Sequence, residues 1–273
     1  MARMSKGAVV TGSGQGLGKQ IARLLSDRGF TVLATDVDLA KAQETAEEIG
    51  GFALAVDVRD HAQVQAAAAA IVERAGSLDV WVNNAGVLVT GPAWEQDEAQ
   101  RRLMIEVNSI GVMNGTVAAI NTMKDAGGGH IVNIASLAGL VAVPGEAVYA
   151  GSKHAVLGFS LSTAADLHLA KIRNIDISCI CPDGIWTPML HDKLEDPAAA
   201  LSFSGKLLTA AEVVKAVGQV LDKPRQVTAV PRWRGVQVRA LDALPDLALK
   251  ALPLAVGMGR RTQKKLVRKG LQP

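Results

Sequence analysis

Aromatic side chains are scarce in this chain: they make up 3% of its 273 residues, and a single tyrosine, Tyr149, stands among them. A core with so few rings must be built from alanine and aliphatic residues in closely packed helices and strands. Nucleic acid is not an expected partner, because no aromatic or arginine-rich recognition element exists outside one basic stretch near the C-terminus. Cysteine is nearly absent too. Cys179 and Cys181 are the only two, and in a strand residues two apart face the same way at roughly 6.5 Å, a poor geometry for a disulfide. They read as reduced core residues of a cytoplasmic protein. The five histidines show no metal-ligand grouping, so no metal is expected. A strand pattern begins within a few residues of Met1, which leaves no room for a signal peptide.

Acidic residues are missing from the tail. From Arg232 onward there are ten lysines and arginines against two acids, a net of +8, while the preceding residues carry 19 basic and 24 acidic groups, a net of −5. The body is mildly acidic and the tail strongly basic. With 49% apolar residues a large core is available, and the length suits one large α/β domain or two small ones.

What is present begins with a short apolar run at 8–10 that breaks into Thr11-Gly12-Ser13-Gly14-Gln15-Gly16-Leu17-Gly18, followed by an amphipathic pattern at Ile21, Leu24 and Leu25. Strand, glycine loop and helix form the context in which a pyrophosphate can approach backbone amides at a helix N-terminus. A second strand, 31–35, ends at Asp36. A carboxylate there accepts hydrogen bonds from a ribose 2′-hydroxyl and repels a 2′-phosphate. Asp38 reinforces that, and neither Gln15 nor Val37 supplies a cation. The cofactor is expected to be NAD; the alternative for Asp36 is a plain helix N-cap, and the two roles are compatible. Helix 39–49, strand 52–56, a helix containing Ala66 to Ala70, and strand 78–82 follow, the last running into Asn83-Asn84-Ala85-Gly86. The stretch 95–125 reads as two helical pieces with Asn108 near their join, because asparagine has low helix propensity. Strand 130–135 brings Ser136 to its carboxyl end, where open α/β sheets bind ligands. A mostly apolar loop, 140–148, then leads into Tyr149-Ala150-Gly151-Ser152-Lys153. On a helix, positions four apart share a face, so phenol and ammonium point the same way. A nearby cation favours the phenolate and moves the tyrosine towards proton transfer near neutral pH.

Together these motifs, in this order and covering roughly residues 5–231, closely resemble the classical short-chain dehydrogenase/reductase family. The resemblance implies a Rossmann-type doubly wound parallel sheet of seven strands, order 3-2-1-4-5-6-7, with helices on both faces. It implies Tyr149 as general acid/base and Ser136 as the group holding the substrate oxygen. Lys153 would bond the nicotinamide ribose and lower the tyrosine's pKa, and Asn108 would hold a relay water. Cofactor contacts are implied at Gly12, Ser13, Gln15, Gly16, Leu17, Gly18, Asp36, Val37, Asp57, Val58, Asn84, Ala85, Gly86, Tyr149, Lys153, Pro182, Ile185 and Thr187. One departure stands out: Asp183 replaces the glycine that usually follows the proline after the sixth strand, and Gly184 comes next. Substrate contacts are expected at Ser136, Val143, Tyr149 and Met189, with a covering segment at about 185–208. Its leucines, together with Leu140, Val141, Val143 and Val148, point to a hydrophobic secondary alcohol or its ketone, of steroid, terpenoid or long-chain type.

The expected organisation is a catalytic domain over 1–231 and an extension over 232–273. The extension's leucines are interrupted by Pro245 and Pro253, and a basic run follows at 260–269. With Asp242, Asp246 and Lys250 it cannot span a bilayer. Packing over the substrate opening or a neighbouring subunit is favoured over peripheral contact with an anionic membrane. In this family the helices near 107–125 and 149–171 form a subunit interface, so a homodimer or homotetramer is expected. The reading is a cytoplasmic NAD-dependent alcohol dehydrogenase. Its rivals are an NADP-dependent ketone reductase and a catalytically silent cofactor-binding regulatory protein.

Overall fold

Seven short apolar runs become the strands of one parallel sheet, in the order β3-β2-β1-β4-β5-β6-β7. A computed structural model describes residues 6–269. The first half alternates β1 (Gly7–Thr11), α1 (Gly16–Asp27), β2 (Thr31–Asp36), α2 (Leu39–Ile49), β3 (Phe52–Ala55), α3 (His61–Ala75) and β4 (Val80–Asn83). Then come α4 (Glu98–Ile105), one π-helical turn (Glu106–Ile110), α5 (Gly111–Met123), β5 (Gly129–Ile134) and α6 (Ala147–Leu169). The chain continues through β6 (Ile175–Pro182), α7 (Pro188–His191), a 3₁₀ segment (Pro197–Phe203), α8 (Ala210–Asp222) and β7 (Val227–Val230). It ends in α9 (Arg232–Asp242) and α10 (Pro245–Arg268).

The expected sheet order is the observed one. Parallel strands covered on both faces need apolar side chains on both sides, and two clusters supply them. Val10, Ile21, Leu25, Val82 and Val217 pack on one face, and Val9, Ile71, Trp81, Ile131 and Met123 on the other. The strand order reverses between β1 and β4, which pair in parallel from Ala8 and Val80. A crevice opens there beyond the carboxyl ends of the strands.

Three expectations need correction. The N-cap of α2 is Asp38, whose carboxylate accepts the amides of Ala40 and Lys41; Asp36, two residues earlier, accepts the amides of Gly14 and Asp38 instead. The extension is not broken at Pro253, because α10 runs through it. The proline forfeits one backbone hydrogen bond, but Leu252, Ala255, Gly259 and Gln263 fasten the helix to the body on its inner side. Nor is the extension apart from the core: Val238 of α9 is buried with Cys179 and Cys181. Those two thiols lie side by side, free, with Sγ atoms 4.0 Å apart.

Candidate active site

The loops after β1 and β4 meet because their strands are neighbours, and side chains lace them together. The Thr11 hydroxyl accepts the amides of Asn84 and Ala85 at 3.0 and 3.1 Å. The Asn84 side chain donates to the carbonyls of Thr11 and Gly12. Gly12 has φ +62°, and a Cβ built at Gly18 would stand 2.2 Å from the Gly12 carbonyl oxygen, so neither position accepts a side chain. A Cβ at Gly16 would meet nothing closer than 3.8 Å. The loop backbone is therefore bare on the side that faces the crevice. At the start of α1, Gln15 provides no side-chain cap, which leaves the first amides of the helix for an anion. These features fit a dinucleotide pyrophosphate.

A cavity of about 720 Å³ runs from this loop to the C-terminal helices. It is lined at one end by Asp36, Val37, Asp57 and Val58, and in its middle by Ser136, Tyr149 and Lys153. Asp36 accepts the amides of Gly14 and Asp38 at 2.9 and 3.1 Å, and a carboxylate retains further lone pairs for a ribose hydroxyl. The cations on the cavity wall, among the described residues, are Arg59, Lys153 and Arg234. Arg59 is held by Asp57 at 2.6 Å and by Glu106 at 3.7 Å. The hydrogen bond from Arg59 in turn keeps the Asp57 carboxyl below its usual range.

Lys153 is 4% exposed, and its ammonium donates to the Ile134 carbonyl at 3.0 Å and lies 5.7 Å from the centre of the Tyr149 ring. Burial pushes its pKa down to about 8. The Tyr149 phenol is held above its ordinary range, first by burial and then by the carboxyl of Glu146, with Ser136 acting in the opposite sense. The lysine alone does not bring the phenol down, contrary to the expectation from spacing. Glu146 itself lines the cavity, is 2% exposed and accepts the Ser202 hydroxyl at 2.5 Å.

Two implied site residues do not reach the cavity. Ser13 is fully buried; its amide and hydroxyl both donate to the Thr35 carbonyl, and its own carbonyl accepts from Thr45. It braces the loop from behind. Asn108 is also fully buried, inside the π-helical turn, a feature that recurs at functional sites. Its side-chain amide clamps both the amide and the carbonyl of Val87, at 2.8 and 2.9 Å, and donates to Ser152 at 3.0 Å. A Cβ at Gly86 would stand 3.3 Å from Asn108 and 3.6 Å from the Lys153 ammonium, so Asn108 lies directly behind the wall that Gly86 and Lys153 form. The remaining residues named from the sequence line the cavity: Gly12, Gln15, Gly16, Leu17, Gly18, Asn84, Ala85, Gly86, Pro182, Ile185, Thr187, Val143 and Met189.

The departure at Asp183 has a structural reason. Its carboxylate accepts the Gly184 amide at 3.0 Å and the Arg234 guanidinium at 2.9 Å, tying the loop after β6 to α9. Spacing could not reveal Glu146 or Arg234, which take their places from burial and from a partner distant in sequence, whereas Arg59 is paired with Asp57 only two residues away. The far wall is apolar: Leu201 from the covering segment, and Leu241, Leu252, Leu254 and Met258 from the extension.

A family profile described as short chain dehydrogenase matches residues 6–198. The oxidoreductase UcpA of Salmonella typhimurium is 36% identical over 214 residues, 74% of this chain and 80% of its own length. The 2-(R)-hydroxypropyl-CoM dehydrogenase of Xanthobacter autotrophicus is 37% identical over 233 residues, 78% of this chain and 90% of its own. A crystal structure of a short-chain dehydrogenase/reductase from Burkholderia phymatum, in complex with NAD, superposes with a TM-score of 0.74 at 28% identity, covering 93% of this chain and 96% of that one.

Proposed function

This chain belongs to the short-chain dehydrogenase family and is an oxidoreductase of alcohols and ketones, and from that premise we propose that it moves a hydride between NAD and a hydrophobic secondary alcohol or its ketone. The observation that carries this reading is the convergence of Ser136, Tyr149 and Lys153 on a cavity that also holds the glycine loop and Asp36. Bound NAD supplies the hydride acceptor of the oxidation. Gly12, Gly16 and Gly18 would hold its pyrophosphate, Asp36 its adenosine ribose, and Asp57 and Val58 the adenine side. The engagement of Arg59 by Asp57 and Glu106 supports NAD over NADP, because that cation is committed elsewhere.

In oxidation Tyr149 acts as the phenolate, its own proton first released to solvent, and takes the substrate hydroxyl proton; in reduction it gives its proton to the carbonyl oxygen. Its phenol, held high by burial and Glu146, is protonated at neutral pH and suited to donate. Ser136 orients the reacting oxygen, and the ammonium of Lys153 offsets charge as it develops on the phenol. Asn108 acts as a positioning residue that fixes the backbone of Val87 and the hydroxyl of Ser152 beside the pair. The apolar wall supplied by Leu201, Leu241, Leu252 and Val143 supports a hydrophobic substrate. The buried carboxyl of Glu146 weighs against an anionic one. Ile110 at the end of the π-helical turn and Val117 of α5, each about two-fifths exposed, support a homo-oligomer through that stretch. The reduced thiol pair suits a cytoplasmic enzyme.

Calorimetric titration of the wild type and of Tyr149→Phe, with NADH and separately NADPH, tests the reading. Both proteins are expected to bind NADH in preference to NADPH. The variant is expected to lose roughly a thousandfold in turnover of a hydrophobic secondary alcohol. A preference for NADPH would sink the role of Asp36, and unchanged turnover would sink the role of Tyr149.

A further inference from the structure

The helix α10 carries different chemistry on its two sides. Ala248, Leu252 and Ala255 turn inward to the cavity, and a Cβ at Gly259 would clash with the carbonyl of Ala200 at 1.7 Å, so the helix sits directly on the covering segment. On the outer side Leu247, Ala251, Leu254 and Met258, preceded by Leu244 at the N-cap, follow one another at alternating steps of three and four residues, a spacing that keeps the helical ones on one face. All five are exposed, Leu247 by 55% and Leu254 by 70%. The same rhythm continues through Arg261, Lys265 and Arg268. An apolar stripe thus passes without a break into a cationic one. Arg261, Lys264, Lys265, Arg268 and Lys269 line one shallow depression, and none of them forms an ion pair among the described residues. Ala251, Leu254 and Met258 also border the cavity, which puts the stripe at its opening.

The charge pattern selects the occupant of this face. A second copy pairing in parallel would set the cations of one α10 against those of the other. An antiparallel pair would bury them against leucines. Either arrangement desolvates five cations per helix against at most one carboxylate of α10, Asp246. A nucleic acid would leave the apolar half without a partner. An anionic lipid surface takes both halves, the leucines at the boundary of the acyl chains and the cations among the phosphates. Asp246 and Lys250 flank the stripe, which suits a helix lying in the interface and not across it. We propose that α10 docks this protein on the surface of an anionic bilayer, with the cavity opening turned towards the lipid. The docking stands on this face alone. What enters from the membrane, a lipophilic alcohol or ketone, rests on the function proposed above.

Co-sedimentation of the full-length protein with vesicles decides it, using phosphatidylcholine alone or mixed with phosphatidylglycerol. Binding to the mixed vesicles is expected, falling as salt rises, with little binding to phosphatidylcholine alone. The triple variant Arg261→Glu, Lys265→Glu, Arg268→Glu is expected to bind on the order of a hundredfold more weakly, at roughly fivefold per cation lost. Leu244→Ser with Leu247→Ser is expected to weaken binding while the cations stay in place. These residues are exposed and none lines the cavity, so NADH affinity and thermal unfolding should match the wild type in both variants. A wild type that stays in the supernatant with mixed vesicles overturns the proposal, and so does a triple variant that binds as well as the wild type. Dissociation of an oligomer by the leucine changes, without vesicle binding by the wild type, would assign the face to a second copy. A protein that binds the mixed vesicles yet turns over no alcohol would keep the docking and remove the proposed activity.

Discussion

Glu146 stands about one helical turn before Tyr149 and is buried. Burial pushes its pKa from 4.5 up to about 7; the bond from Ser202 opposes that rise and the charge of Asp196 adds to it. The folded value lies above the unfolded one, so between about 4.5 and 7 the unfolded chain is ionised here while the folded chain is not. Stability present below pH 4.5 is then lost as pH rises to 7, by an amount on the order of 3 kcal/mol. Glu146→Gln removes that dependence. Urea unfolding at a series of pH values should show the wild type losing stability across this window and the variant keeping it; parallel curves would contradict the assignment. The same substitution has a kinetic signature. An ionised Glu146 opposes a phenolate at Tyr149, so the alkaline-rising limb of alcohol oxidation should move to lower pH in the variant. A merely structural glutamate would leave that limb in place.

Elements carry the site in two ways, and only one of them was legible beforehand. The reversal of strand order between β1 and β4 was legible only through the family resemblance, while the glycine loop and the Tyr149–Lys153 pair follow from local spacing. Their chemistry is written within a few residues, and period alone puts them on one face. The join at Asn108 was legible for the same reason, although not its form, a π-helical turn whose asparagine clamps Val87 and Ser152. The contacts of Glu146 with Ser202 and of Asp183 with Arg234 close over separations of 56 and 51 residues, which no local pattern encodes. Asp183 looked like a defect in a nicotinamide-side loop and is an anchor for α9 instead. Its ion pair is largely buried, at 9% and 17% side-chain exposure. Removing one partner strands the other, so Asp183→Ala is expected to cost roughly 3 kcal/mol. Chemical denaturation measures that cost. Asp183→Ala combined with Arg234→Met should recover part of the loss, whereas a purely additive double variant would show that the pair does not act as a unit.

The body and its extension form one enclosure, and the weak point of a sequence reading lay in their join. Pro253 looked like a break because its effect on a free helix is large. In the folded chain α10 is fastened on either side of it: Leu252 and Ala255 close the cavity, while the Gln263 amide donates to the carbonyls of Lys193 and Asp196 at 3.2 and 2.8 Å. The closest approach is at Gly259, where the backbone of α10 lies on Ala200 with no space for a side chain. Gly259→Ala must therefore lift the helix from the covering segment, at a cost of about 1–3 kcal/mol for overpacking. Amide hydrogen exchange should accelerate through α10 and residues 197–203, and protection in β1, β4 and β5 should not change, because the sheet core makes no contact with that glycine. NADH affinity should be retained, since the glycine loop lies at the opposite end of the cavity, and KM for a hydrophobic alcohol should rise as its wall loosens. If exchange in α10 were unaltered while KM rose, the extension would not be the wall that the substrate meets.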